Sequence, residues 1–234
     1  ILNGDNDLLR NLDAVPVQPI TYFGSDDGCA VQAMDVHQEP GLLTFTVRAG
    51  EETFPVEMAL EGEHFVPDAL AAVTVALKLA VPSERISESL AAFRNMAGRQ
   101  EIFAHAGMTI IRDCYNAGPE SMAAALNVLG NRKGRQIAVV ADMLELGDCA
   151  PAEHYRLGTL AARKAKMVFA YGPNASHVAR GALEAGMARE NVHIFETSET
   201  LAQLLAEQTQ AGDVILFKAS HGMHLELALE QFLK

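Results

Sequence analysis

Positive charge is scarce in this sequence. Lys and Arg total 18 against 30 Asp and Glu, a formal net charge of -12, and no Lys/Arg-rich run occurs along the 234 residues. That shortage excludes a surface built to neutralise the phosphates of a nucleic acid. Cysteine is also sparse: Cys29, Cys114 and Cys149 are odd in number, widely spaced and outside any C-x-x-C pattern. A disulfide framework or a zinc ribbon is therefore not expected, and a reducing compartment is, with the cytoplasm as the default. No apolar run approaches the roughly 18 residues that a membrane-crossing helix needs, so no membrane partner is expected. No basic segment leads into an apolar one in the manner of a secretion signal. No G-x-G-x-x-G follows any apolar segment, which leaves a nicotinamide or flavin site with little support. What remains is ordinary for a globular protein with a substantial core: 49% hydrophobic and 21% charged residues.

The chain opens on Ile1-Leu2-Asn3 rather than Met, in what reads as the end of a strand, so an N-terminal portion is expected to be missing. Residues 1 to about 60 are β-rich. Leu43, Phe45 and Val47 alternate with polar residues, and after the Ala49-Gly50-Glu51 turn Phe54, Val56 and Met58 alternate again, the pattern of a hairpin with one wet face. Pro55 assigns the second strand to an edge. Asn3-Gly4-Asp5-Asn6-Asp7 reads as a loop after a strand, with a ligand-facing loop as the alternative. From Val66 the period becomes helical through Leu70, Val73, Ala76, Leu77 and Ala80, stopping at Val81-Pro82; Ser83 then caps a second helix with Ile86, Leu90 and Phe93 as its stripe. His64 and Asp68 sit at the first helix start, within reach of a ligand. A boundary is expected at Ala97-Gly98, where Gly-Arg-Gln-Glu separates two differently patterned halves.

After that boundary Thr109 to Arg112 reads as a strand, and Pro119 opens a helix that Gly130 ends. Strands at about 136–141, 166–171, 192–196 and 213–217 then alternate with helices at about 151–165, 174–185 and 197–209, and a last helix from about 222 to the end. This predicts a Rossmann-like α/β fold, a mostly parallel sheet with helices on both faces. Three strand ends carry polar clusters: Asp113 to Asn116, Asp142 to Gly147, and Lys218 to Gly222. The carboxyl ends of parallel strands point one way, so these loops are expected to converge on one rim. His221 and His224 are three apart, but no third ligand follows at metal spacing, and no metal site is assigned. Cys114 is disfavoured as a nucleophile because a neighbouring carboxylate raises a thiol's pKa.

These clusters carry a family resemblance. Asp113-Cys114-Tyr115-Asn116-Ala117-Gly118-Pro119, Asp142-Met143-Leu144-Glu145-Leu146-Gly147 and Lys218-Ala219-Ser220-His221-Gly222-Met223 resemble the patterns D-S-Y-N-A-N-P, D-M-L-E-L-G and K-G-S-R-G-M of the Mur ligases of peptidoglycan synthesis, in that order. The second matches residue for residue and points to the branch that adds D-alanyl-D-alanine. Asn3-Gly4-Asp5 resembles N-x-D-D, His64 to Ala72 resembles H-N-x-x-N-A-L-A-A, and Gly98-Arg99-Gln100 resembles the G-R-x linker. The resemblance implies that residues 1–97 end a central ATP-binding domain, that 98–108 form the linker and first strand region, and that 109–234 form the C-terminal Rossmann-like domain. It implies an ATP- and Mg²⁺-dependent ligation of D-alanyl-D-alanine to UDP-N-acetylmuramoyl-tripeptide through an acyl phosphate. By position, Arg99, Asp113, Asp68 and His64 resemble nucleotide-binding residues, and Asn116, Glu145, Ser220 and His221 resemble those that bind the amino substrate. No residue of this chain is assigned a catalytic role.

The departures have physical meaning. Phe65 and Asp68 replace two Asn of the adenine motif, and a carboxylate accepts from an exocyclic amine but cannot donate. His221 replaces Arg, removing a permanent charge and a bidentate grip. No Gly-Lys dipeptide exists, so the phosphate loop G-x-x-x-x-G-K-[ST] is absent, and the chain alone is expected to be inactive with its Mg²⁺ ligands elsewhere. The alternatives are another Mur or folylpolyglutamate-type ligase, or a non-catalytic Rossmann-like binding module.

Overall fold

The structure is a computed structural model that describes residues 1–10 and 19–234. It divides into two compact units, Ile1–Arg94 and Asn95–Lys234.

In the first unit, five strands form one sheet in the order β1-β2-β3-β4-β5: β1 (Leu2–Asn3), β2 (Tyr22–Gly24), β3 (Val31–Glu39), β4 (Leu42–Ala49) and β5 (Glu52–Met58). β1, β2 and β3 run parallel, and β3, β4 and β5 are antiparallel. The predicted hairpin is β4–β5: Leu43, Phe45, Val47, Phe54, Val56 and Met58 are all buried, while the residues between them face outward. Pro55 lies on the edge strand, as its missing N–H requires. The Asn3–Asp7 cluster is a turn after β1 that leads into the short helix α1 (Asp7–Arg10). Its side chains serve nearby backbone: Asn3 Oδ1 accepts from Asp5 N–H at 2.9 Å, and Asp5 accepts from Ser25 N–H at 2.8 Å.

α2 (Phe65–Lys78) buries Val66, Ala69, Leu70 and Val73 against this sheet, and α3 (Ser83–Ala92) adds Ile86. Ser83 does not cap α3, contrary to expectation. Pro82 occupies the N-cap with extended backbone, and Ser83 is the first helical residue, buried and without a capping bond. The fixed φ of proline suits the helix entrance, although its ring offers no acceptor to the first N–H groups.

In the second unit the sheet order is β10-β9-β8-β11-β7-β6. The strands are β6 (Glu101–His105), β7 (Met108–Asp113), β8 (Arg135–Ala141), β9 (Met167–Tyr171), β10 (Val192–Phe195) and β11 (Asp213–Lys218), parallel except for the β6–β7 hairpin. α4 (Pro119–Asn131), α5 (Ala150–Lys164) and α6 (Ala175–Glu184) cover one face, and α7 (Ser198–Gln208) and α8 (Leu225–Phe232) the other. The chain steps outward from β7 through β8 and β9 to β10 with α4, α5 and α6 on a single face. It then returns through α7 on the opposite face to insert β11 between β7 and β8, the arrangement that a constant crossover hand demands. This is the predicted Rossmann-like α/β sheet.

Two helix ends differ from the sequence reading. Gly130 lies inside the last turn of α4 rather than ending it; a Cβ there would meet Lys164 Cδ at 2.9 Å, so the glycine serves a close helix approach. The terminal helix is interrupted. His221–Met223 form a 3-10 turn, His224 is left-handed at φ 50°, and α8 starts at Leu225, so the reversal of the chain after Ser220 comes before the helix.

Candidate functional site

Because β11 lies between β7 and β8, the loops that follow these strands are neighbours, and hydrogen bonds join them. Lys218, the last residue of β11, is 2% exposed; its Nζ donates to Asp113 Oδ2 at 2.6 Å and to the Asn116 carbonyl at 3.0 Å. Ser220 Oγ donates to the Ala117 carbonyl at 3.3 Å and accepts from Leu144 N–H at 3.0 Å, and Ser220 N–H donates to the Asp142 carbonyl at 3.2 Å. One short segment after β11 thus holds the loop after β7 on one side and the loop after β8 on the other. A buried lysine needs such partners, since an unpaired ammonium in the interior is costly.

The segment that opens this unit joins the same rim. Asp113 Oδ1 accepts from Gln100 N–H at 3.1 Å, and Tyr115 N–H donates to the Gly98 carbonyl at 3.2 Å. Arg99, exposed between them, stacks its guanidinium 3.9 Å from the Tyr115 ring centroid. The His221 ring centroid stands 6.0 Å from that of Tyr115. Asn116 is exposed next to them, its Oδ1 accepting from Ala117 N–H at 2.9 Å, and α4 starts just beyond at Pro119. The rim therefore presents a guanidinium, an imidazole, a carboxamide and an aromatic face above a buried lysine that donates to Asp113 and to the Asn116 carbonyl.

The loop after β8 divides in two. Asp142 is 3% exposed and turned inward, accepting from Asn174 N–H at 3.1 Å and from Asn174 Nδ2 at 2.6 Å. Behind it His154 is fully buried. Its Nε2 accepts from Met143 N–H at 2.9 Å and its Nδ1 faces the Ala150 carbonyl at 2.7 Å, so the ring is the neutral Nδ1–H tautomer. Glu145, by contrast, is exposed and left-handed at φ 66°. The inner half of the loop is structural, and the outer half faces solvent.

Arg99, Asp113, Asn116, Ser220 and His221, picked out from the sequence, are thus linked through this rim, and Glu145 lies on the adjoining loop. Ser220 is buried with its hydroxyl already used twice. His64 and Asp68 are exposed at the start of α2 in the first unit, with the His64 ring 4.2 Å from that of Phe65. Sequence reading assigned no role to Lys218 or Tyr115. The available signal was a lysine closing the otherwise apolar strand Val214–Phe217, every residue of which is buried. Cys114 is no nucleophile: its Sγ lies 3.4 Å from the Phe217 carbonyl, and burial, followed by the charges of Glu226 and Asp113, pushes the thiol up to about 12. His224 Nδ1 stands 3.2 Å from Glu226 Oε1, and among the described residues no three His, Cys, Asp or Glu side chains gather as metal ligands. No described helix is long and apolar enough to cross a membrane.

The comparisons with known proteins fall on the same residues. The family described as Mur ligase, glutamate ligase domain, matches residues 98–221. The chain is 34% identical to a UDP-N-acetylmuramoyl-tripeptide--D-alanyl-D-alanine ligase of Bacillus subtilis over 95% of this chain and 48% of that protein. Among solved structures it resembles MurF of Acinetobacter baumannii (TM-score 0.81, 29% identity, 91% of this chain and 46% of that one). It also resembles a MurF ligase of Thermotoga maritima in complex with ADP (TM-score 0.76, 25% identity, 91% of this chain and 48% of that one). The chain spans about half the length of the curated relatives it matches. With the family pattern laid over more than half of its residues, and over the three loops that meet at the rim, this chain belongs to the Mur ligase family.

Proposed function

We propose that this chain is the C-terminal portion of an ATP-dependent amide ligase that joins D-alanyl-D-alanine to UDP-N-acetylmuramoyl-tripeptide in the cytoplasm. The observation that carries the reading is the rim itself: β11 inserted between β7 and β8 brings the three family loops and Arg99 together. In this reading residues 1–94 end the nucleotide-binding domain and 95–234 form the domain that brings the amino substrate. The ligase names of the relatives and the ADP held by the Thermotoga maritima protein support it.

ATP activates the tripeptide carboxylate as an acyl phosphate, and the dipeptide amine then forms the amide as phosphate leaves. The residues here supply binding and alignment. Arg99, free to point outward while stacked on Tyr115, offers a planar cation to nucleotide phosphates. Asp113 retains lone pairs for ribose hydroxyls beyond those used by Lys218 and Gln100. Asp68 accepts from an adenine amine, with His64 beside it. Asn116 and His221 grip the dipeptide carboxylate, while the remaining lone pair of Ser220 and the Glu145 carboxylate accept from the amine. Among the described residues no group of His, Cys, Asp or Glu side chains fits Mg²⁺, and the family resemblance places its ligands ahead of the Asn3 segment.

Phosphate release in the presence of ATP, UDP-N-acetylmuramoyl-tripeptide and D-alanyl-D-alanine tests the proposal. The full-length gene product turns over with this dipeptide and not with single amino acids, and the 234-residue chain alone is silent. Turnover by this chain alone, or a full-length protein that prefers another amino substrate, would overthrow it.

A further inference from the structure

The segment Gly98-Arg99-Gln100 is held in an unusual conformation. Gly98 has φ 74° and Gln100 has φ 44°, so two left-handed residues flank Arg99, and only the first is a glycine. A non-glycine in that region costs on the order of 1 kcal/mol and persists only where its surroundings enforce it. Gln100 is 7% exposed, and its N–H is bound by Asp113 Oδ1 at 3.1 Å. The other oxygen of the same carboxylate is held by Lys218 Nζ at 2.6 Å. Lys218 also fixes the Asn116 carbonyl, and between these two anchors Tyr115 donates to Gly98 and carries the Arg99 guanidinium.

We infer that Lys218 is a positioning residue: acting through Asp113 and Gln100 from beneath the rim, it sets where Arg99 presents its guanidinium. Lys218 is buried and does not itself reach a ligand at the surface. Its ammonium aims the Asp113 carboxylate, the carboxylate holds Gln100 in its left-handed turn, and the turn places Arg99 over Tyr115. The same ammonium, bound to the Asn116 carbonyl, keeps Tyr115 in place as the platform. That Arg99 meets nucleotide phosphates rests on the function proposed above; the Lys218–Asp113–Gln100 chain does not.

Lys218→Met in the 234-residue chain tests this, read by amide hydrogen exchange at Gln100 with the Val139 and Leu216 amides in the sheet centre as the measure of global opening. Exchange at Gln100 is expected to rise about tenfold relative to those references. The Arg99 side-chain resonances are expected to lose the ring-current shift imposed by Tyr115. Arg135→Met, which breaks a buried ion pair elsewhere in the same sheet, lowers stability without changing the ratio. If Lys218→Met fails to fold, Lys218→Gln keeps an N–H donor for Asp113 and gives the same effect in smaller measure. Gln100 exchange that rises only in step with the references, or Arg99 resonances that keep their shift, overturns the inference. If Gln100 responds as expected but Arg99→Ala leaves ADP affinity in the full-length protein unchanged, the functional reading falls and the positioning role stands.

Discussion

The two ends of β11 carry the same device with opposite outcomes. At its start Asp213 pairs with Arg135, its register partner on β8; at its end Lys218 pairs with Asp113, its register partner on β7. Each couples a nearly buried charge to a more exposed partner. At the start the bonds turn inward: Arg135 donates to Asp213 Oδ2 at 2.6 Å and to the Gln208 carbonyl at the end of α7 at 2.7 Å, and Asp213 takes Gln210 N–H at 2.8 Å. There a cation at a helix C-terminus and a carboxylate in a turn settle each other's demands. At the end the bonds run outward, into loops whose other groups are left to solvent. A buried pair becomes the foundation of a site when the backbone it fixes carries exposed donors, and remains a staple when it does not.

The largest effect tests the staple. Arg135→Met leaves the Asp213 carboxylate, 1% exposed, with only the Gln210 N–H, and is expected to cost about 3 kcal/mol in urea unfolding. Asp213→Asn costs less, because Arg135 is 35% exposed and can hydrate. Neither change is expected to alter ADP affinity in the full-length protein. A binding loss there would erase the distinction between the two ends.

The next effect tests how dry the interior is beneath the site rim. The Cys114 thiol, pushed up to about 12 chiefly by burial and then by Glu226 and Asp113, stays protonated in the folded chain at pH values where it ionises in the unfolded one. Its contribution is complete below the unfolded value near 9 and is lost as pH rises towards 12. In that window the unfolded state holds fewer protons, so stability falls by about 1.4 kcal/mol per pH unit, or about 2–3 kcal/mol between pH 9 and 11. Denaturation of the parent chain and Cys114→Ala across this range gives the difference. Equal slopes would mean that water reaches the thiol.

A smaller effect comes from the same rim away from the loops. Thr197, after β10, uses its hydroxyl to cap α7, accepting from Thr200 N–H at 3.3 Å. Thr197→Ala is expected to cost about 1 kcal/mol of stability with ligand binding unchanged. Lying at the carboxyl end of a parallel strand is therefore not enough to make a residue part of the site.

Much of this architecture was legible from local periodicity. The alternation of Leu43, Phe45 and Val47 and the apolar runs from 136 onward report burial faces directly, because the side-chain period of a strand is fixed by its geometry. The three loops were visible as polar ends to apolar strands. Partnership across the sheet was not visible: Lys218 and Asp113 are 105 positions apart, and only the insertion of β11 between β7 and β8 joins them. Asp142 opens one of the three polar clusters, yet it faces inward to Asn174, since alternation does not say which polar groups a loop turns in. The helix ends missed at Ser83, Gly130 and His224 were set by proline φ, a neighbouring helix and a left-handed turn.

The smallest effect on stability belongs to the residue with the most proposed function. Arg99 is exposed with its guanidinium stacked on Tyr115, whereas Arg10, Arg112 and Arg135 are tied to Asp26, Glu101 and Asp213. Exposed stacking of this kind contributes about 0.5–1 kcal/mol, so Arg99→Ala is expected to move stability by no more than that. In the full-length protein the same change is expected to weaken ADP binding about tenfold, since a planar cation on phosphate is lost. Arg99→Lys separates charge from shape: a lysine keeps the charge but neither stacks as well nor binds phosphate bidentately, and recovers only part of the affinity. Full recovery by lysine would mean that the Tyr115 platform has no part in presenting the cation, and the outward-facing end of β11 would then differ from the inward-facing one in charge alone.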